Sequence, residues 1–227
     1  MNEKISRVYL LDILKNYGEV VFNIARSLQA QKCNCSVADV TELPEETLKE
    51  AKKLRDSHNP NYKEEHPSVY AGTYGKYNDG SIFGDWIALD TFEDYREFRN
   101  YVDMIHSDEY DVEPMYQDFE NFPRLFYSES MGKASFDRII EWAKLSEEDQ
   151  EMLDAYISVT CNENATIDEA RDAFEGKFDS EYEFGEYCAD NFYEIPKSLT
   201  NYIDYEKMGR EIAWDYDVFD DYYFRKS

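Results

Sequence analysis

The chain has 227 residues and a formal net charge of −26, with 42% hydrophobic and 16% aromatic residues. Such aromatic content excludes a disordered acidic tail and predicts a folded core, and the length allows one or two domains. No run of about 18 apolar residues occurs, so no membrane span is expected, and four cysteines without a spaced framework point to reduced thiols.

The start, Met1 to Lys4 and then an apolar stretch broken by Asp12 and Lys15, lacks a small-residue cleavage site. A cytoplasmic protein without a signal peptide is expected. Leu10, Leu14, Tyr17, Val21, Ile24 and Leu28 recur at spacings of four and three, which predicts one helix with an apolar seam packed on its own domain. A second helix is expected after Pro44, from Glu45 to about Arg55, with Leu48, Ala51 and Leu54 inward. Residues 57–61 and Lys63-Glu64-Glu65 have linker chemistry.

Ser68 to Tyr74 is rich in β-formers, Lys76 to Ser81 reads as a turn and Ile82 to Leu89 as a second strand, together a hairpin. Thr91 and Asp94 predict a helix start, with Tyr95, Phe98, Val102 and Ile105 as its buried stripe. Val112 to Phe119 and Leu125 to Tyr127 read as strands. Ser135 precedes a helix with Phe136, Ile139, Ile140 and Ala143 inward. Ser146 with Asp149, Thr166 with Glu169 and Ser180 with Glu183 carry the capping-box pattern, and Gly176 is expected to stop the middle helix. Asp204 is expected to cap a helix to Trp214, and Asp217 to Phe224 to form a closing strand. The fold class is α+β, with an extra N-terminal helical segment.

Charge divides the chain unevenly. Residues 1–66 hold 10 Lys/Arg and 11 Asp/Glu, a net of −1, whereas residues 67–227 hold 14 and 39, a net of −25. A domain boundary is expected near His66-Pro67. The subdivision expected beyond it is 67–130 (hairpin and helix), 131–200 (mainly helical) and 201–227 (helix and strand). Self-repulsion of that size destabilises a compact state, and solubility needs a net charge of only about 2–8. Halophilic adaptation, an acidic metal buffer and a basic partner are three reasons for the excess; the first would normally be spread along the whole chain, whereas residues 1–66 are near neutral.

Catalytic signatures are poor. The histidines are His58, His66 and His106, with no G-x-S-x-G, P-loop or dinucleotide fingerprint. Cys33 and Cys35 with His58 and His66 lack the spacing of a zinc finger or ribbon. Asp215-Tyr216-Asp217 opens like a calcium loop, but Phe219 replaces an oxygen ligand and Asp220 the invariant glycine. No metal or cofactor is expected. Carboxylate pairs suited to glycoside hydrolysis arise by chance among so many acids.

The carboxylates make more sense together. Glu147, Glu148, Glu151 and Asp154 fall opposite Leu153, Tyr156 and Ile157; Asp168, Glu169, Asp172 and Glu175 repeat the pattern; Asp179, Glu181, Glu183 and Glu186 follow. Asp103, Asp108, Glu109, Asp111, Glu113, Asp118 and Glu120 form an earlier cluster. Acids three or four apart on a helix lie about 5–6 Å apart at Cβ, comparable to phosphates along one DNA strand. At one charge per about 1.7 Å of duplex axis, 25 charges match roughly 40 Å, on the order of a dozen base pairs.

The same residues carry a family resemblance. Ser68 to Trp86, including Tyr70-Ala71-Gly72-Thr73-Tyr74-Gly75-Lys76-Tyr77-Asn78-Asp79-Gly80, resembles the opening hairpin of the ArdA antirestriction proteins. Glu113 to Glu120 is similar to that family's next acidic strand, and Ala173 to Phe184 to its Gly-aromatic-Asp-Ser segment. Tyr202 to Lys207 and Tyr223-Phe224-Arg225 resemble its end. The match runs in order over residues 67–227. The resemblance implies an elongated homodimeric mimic of duplex DNA, carried by mobile genetic elements. A protein of this kind is expected not to be an enzyme and not itself to bind nucleic acid. It is expected to occupy the DNA groove of type I restriction–modification enzymes, on the methyltransferase core with its specificity subunit. Two rival readings are an acidic mimic aimed at another DNA-binding protein or defence system, and a carboxylate hydrolase with one deep cleft. The typical family member lacks residues 1–66, whose near-neutral charge suggests that they are dispensable for charge mimicry.

Overall fold

A computed structural model describes residues 2–59 and 66–226. Residues 60–65, where part of the linker was expected, lie outside the described residues. The chain forms two compact units, Met1–Lys144 and Leu145–Ser227. The packing boundary therefore falls well after the charge boundary at residue 66.

In the first unit, the expected single helix is two: α1 (Asn2–Tyr17) and α2 (Glu19–Cys33). Gly18 between them has φ 81°, a conformation that glycine adopts without steric penalty. The apolar seam still reads across the break, with Val21 and Ile24 buried. Helix α3 (Glu45–His58) buries Leu48 and Ala51 and packs on α2.

Strand β1 (Ser68–Thr73), helix α4 (Tyr74–Asn78) and strand β2 (Asp85–Ala88) follow. The expected tight turn is thus a short helix plus a loop. Thr73 Oγ1 accepts from the Lys76 amide, capping α4 as the chain leaves β1. Helix α5 (Tyr95–Ile105) starts one turn later than expected. Asp94, not Thr91, caps it by accepting from the Glu97 amide, while Thr91 Oγ1 donates to Ala88 O.

Strand β3 (Pro114–Glu120) pairs with the free edge of β1, giving an antiparallel sheet in the order β2-β1-β3. Residues 125–127 are not a strand: Arg124–Phe126 is a 3-10 turn in which the Phe126 amide bonds Pro123 O at 3.0 Å and the Phe126 ring is buried. Helix α6 (Lys133–Ala143) closes the core. Phe98 stacks on Phe136 and Tyr116, at 5.3 and 5.8 Å between ring centroids.

Residues 1–59 join this core through specific contacts. His58 stacks on Phe92 at 4.0 Å and pairs through Nδ1 with Thr91 Oγ1 at 2.9 Å. Arg55 makes a two-bond fork to Asp85, at 2.9 and 3.1 Å, and Asn59 donates to the same carboxylate. Asp85 is 8% exposed, so this ion pair holds a charge that burial would otherwise penalise.

The second unit contains α7 (Glu147–Thr160), α8 (Ile167–Ala173), β4 (Phe174–Lys177), α9 (Glu181–Phe192), α10 (Tyr205–Ile212), β5 (Tyr216–Phe219) and β6 (Tyr222–Arg225). Gly176 does not end α8. It sits inside β4 beside a register shift, where a Cβ would lie 2.7 Å from the Phe178 ring. The expected closing strand is a hairpin, β5 and β6, because Asp220 enters the left-handed region at φ 51° and reverses the chain. The sheet order is β4-β6-β5. Phe178, Phe184, Cys188 and Tyr223 form a small core, with Phe184 and Tyr223 rings 4.3 Å apart.

Helices α9 and α10 touch backbone to backbone. A Cβ on Gly185 would lie 1.9 Å from Tyr205 O, and one on Gly209 would lie 1.8 Å from Glu181 O. Only glycine at both positions permits this approach. Among the described residues no helix is long and apolar enough to cross a membrane.

Candidate partner-binding surface

The helices of the second unit turn their acids outward for reasons visible in their burial. Helix α7 buries Met152, Leu153, Ala155 and Ile157, which leaves Glu147, Glu148 and Glu151 exposed and Asp154 half-buried. Glu147, Glu148 and Asp149 occupy its first turn, where the helix dipole favours negative charge. Helix α8 buries Ala170 and exposes Asp168, Glu169 and Asp172. Helix α9 buries Phe184, Gly185, Cys188 and Ala189 and exposes Glu183 and Glu186, with Glu181 half-buried. Asp179 is exposed just before it.

Some of these carboxylates have local partners. Arg171 bonds Asp149 at 2.8 Å and lies 3.6 Å from Asp168, tying α8 to the start of α7. Glu151 accepts from Tyr222 and Lys177, and those contacts lower its pKa. Glu181 pairs with Arg210 at 2.8 Å. Glu175 is turned inward, its side chain only 9% exposed, 3.6 Å from Arg225 and accepting from Tyr187. That bond, with burial, pushes the Tyr187 hydroxyl up to about 12.

The capping acids divide. Thr166 and Glu169 form the full reciprocal box. Ser180 caps α9, but the Glu183 carboxylate takes the Asp179 amide, one position earlier than the box requires. Ser146 caps α7, and Asp149 turns to the Ser146 hydroxyl and Arg171.

Glu147, Glu148, Asp172, Asp179 and Glu186 are exposed and form no ion pair among the described residues. Leu145–Ser227 holds seven Lys/Arg and 23 Asp/Glu, a net of −16, and most of its bases are already paired. What remains outward is an acidic surface on consecutive helices, not a cleft. Asp190, Glu206, Glu211 and Asp217 belong to the same unit and were not singled out from the sequence; Glu206 and Glu211 are exposed on α10, each four residues from a base, Arg210 and Lys207.

The earlier acidic cluster lies in the first unit. Asp103 pairs with Arg99 at 2.8 Å, Asp108 with Lys76 at 2.9 Å, and Glu109 accepts from Thr73 Oγ1 at 2.7 Å. Asp111, Glu113 and Asp118 are exposed and Glu120 is half-buried. A cleft of about 430 Å³ is lined by Asp103 and Glu109 with Ser27, Gln31 and Asn100, but both carboxylates are committed to the partners just named. Among the described residues no group of three His, Cys, Asp or Glu side chains is placed to hold a metal ion. The most perturbed histidine, His106, is fully buried, and burial with the nearby Lys76 ammonium lowers its pKa to about 4. It bonds Ala71 O through Nε2, which is a structural role.

Comparison with known proteins agrees with the sequence resemblance. No curated protein matches the chain. The family described as antirestriction protein (ArdA) matches residues 69–225, from the first residues of β1 to the last of β6. The chain belongs to the ArdA antirestriction family.

Proposed function

We propose that this chain inhibits type I restriction–modification enzymes by occupying their DNA groove as a mimic of duplex charge. The observation that carries the reading is the set of exposed, unpaired carboxylates on α7, α8 and α9, in a unit with a net charge of −16. Carboxylates at helical spacing supply what the Lys and Arg of such a groove recognise: negative charge repeated every few ångströms. No bond is made or broken, so no catalytic group is required. Membership of an antirestriction family supports the restriction enzyme as target, and the groove proposed is that of its methyltransferase core with the specificity subunit.

A homodimer belongs to this reading. Strand β5 is a sheet edge whose Val218 and Phe219 are exposed beside Trp214, which offers apolar area to a second copy.

The test is competition. A type I methyltransferase is mixed with a labelled duplex carrying its site, and the protein is titrated in. The expected result is mutually exclusive binding and loss of both methylation and cleavage. A ternary complex of enzyme, duplex and protein would overturn the reading, and displacement from an unrelated DNA-binding protein alone would redirect it to another target.

A further inference from the structure

Residues 1–66 lie outside the family match, yet one of their side chains reaches the acidic turn that joins α5 to β3. Asn23 on α2 is 2% exposed. Its Nδ2 donates to Ile105 O and to Asp108 Oδ1, each at 2.9 Å. Ser107 Oγ returns a bond to Asn23 O at 2.9 Å. The same Asp108 carboxylate takes Lys76 Nζ at 2.9 Å, and Lys76 also meets His106 Nδ1 at 3.2 Å and the Phe83 ring at 4.1 Å. The turn is thus held from one side by α2 and from the other by α4. It carries Asp108, Glu109, Asp111 and Glu113 within six residues.

We propose that α2 braces this acidic turn, and that Asn23 is a positioning residue for the inhibitory surface. The chemistry is specific. A side-chain amide supplies two N–H donors, and here they bind one backbone carbonyl and one carboxylate at once, which fixes both the end of α5 and the direction of Asp108. Removing the amide takes both donors away: Ile105 O loses its side-chain partner and Asp108 keeps Lys76 alone, so the turn loosens. In a surface whose contacts each contribute little, the orientation of several carboxylates together decides fit. The brace acts on no bond of the partner; it acts through Asp108 and its neighbours.

This inference rests on the DNA-mimic reading, and its test separates the two. Full-length protein is compared with Asn23→Ala, Asn23→Asp, Ser107→Ala, Asp108→Asn and the double variant Asn23→Ala with Asp108→Asn. Amide hydrogen exchange and inhibition of a type I enzyme are both measured. Asn23→Ala is expected to speed exchange at residues 106–113 while leaving Leu145–Ser227 unchanged, and to weaken inhibition about fivefold, the scale of one lost buried hydrogen bond. Asn23→Asp, which faces a carboxylate with a carboxylate, is expected to weaken it further, and Ser107→Ala to weaken it less while the fold stays intact. The double variant is expected to match Asp108→Asn alone within a factor of two, because both changes act through the same group. Unchanged exchange at 106–113, or a loosened turn with undiminished inhibition, would overturn the brace. Full additivity of the two substitutions would overturn it as well. A wild-type protein that does not inhibit at all fails the functional reading instead, and this inference with it.

Discussion

In Met1–Lys144 the buried polar groups are tied to one another across long stretches of sequence: Arg55 to Asp85, Asn23 to Asp108, His106 to Lys76 and Ala71. In Leu145–Ser227 the ion pairs other than Glu175 with Arg225 sit at or near the surface, the core is a small aromatic cluster, and most of the remaining acids face solvent. The two units carry −10 and −16, over 144 and 83 residues, from 17 Lys/Arg and 27 Asp/Glu in the first and seven and 23 in the second. The first unit uses charge to fix structure. The second leaves charge free and relies on close backbone packing to stay folded against its own repulsion.

The comparison breaks first at Gly185. Gly185→Ala places a methyl group 1.9 Å from Tyr205 O, a backbone atom that cannot swing away. The expected loss is about 3 kcal/mol, the upper range for overpacking. Differential melting or hydrogen exchange should show the second unit opening while the first is retained. A variant that melts like the parent would mean the crossing is looser than described.

Acid titration separates the units. His106 has its pKa lowered to about 4 from an ordinary 6.5, so the unfolded chain binds the extra proton between those values. The contribution is therefore present above pH 6.5 and is lost as pH falls through 4. It amounts to about 3 kcal/mol at most. The second unit has no histidine and so lacks this loss. Amide exchange followed from pH 7 to pH 4 should show β1 and α5 losing protection before α9 and α10. The reverse order would contradict the contrast.

A smaller effect is expected at Arg55. Arg55→Met leaves the Asp85 carboxylate, 8% exposed, without its forked partner. A fully buried pair would lose more, but Arg55 is partly open to solvent, and about 2 kcal/mol is expected. Thermal melting measures it. The same contact means that a chain beginning at Pro67 should be less stable than the whole, because Asp85, Phe92 and Tyr101 lose the cover of α3.

Smallest are single amide substitutions among the free acids. Glu148→Gln and Asp172→Asn should each change inhibition by less than about 1 kcal/mol in binding, and stability should hold or rise slightly. Neutralising five or more acids on α7, α8 and α9 together should abolish inhibition, since small losses accumulate. One substitution that abolishes inhibition in a folded protein would point to a single essential group.

Legibility in the sequence followed the range of the interactions. Helices with strong local signals were placed well: Ser146, Thr166, Ser180 and Asp204 all accept from the backbone amide of the third residue of their helices, whereas Asp94 took the capping place expected of Thr91. The misplacements came where a local rule had a competitor. Gly18 split a seam whose periodicity continues across it, Gly176 served a strand bulge rather than a helix end, and Asp220 hid a hairpin inside an acidic run. The acidic faces of α7, α8 and α9 were readable because outward acids repeat at helical spacing. Which of them are engaged was not, since Arg171, Lys177 and Arg210 reach them from 22 to 29 positions away. Asn23 and Asp108 are 85 positions apart, and nothing local to either marks the pair.

The most direct test of the central claim is the salt dependence of inhibition. The protein is titrated against a type I enzyme from about 50 mM to about 200 mM monovalent salt, with the uninhibited enzyme as control at each point, a range over which screening of surface charge rises steeply. If exposed carboxylates replace phosphates, the inhibition constant should rise at least about tenfold across the range, as opposite-charge contacts are screened. An inhibition constant that does not move with salt would contradict charge mimicry as the source of binding.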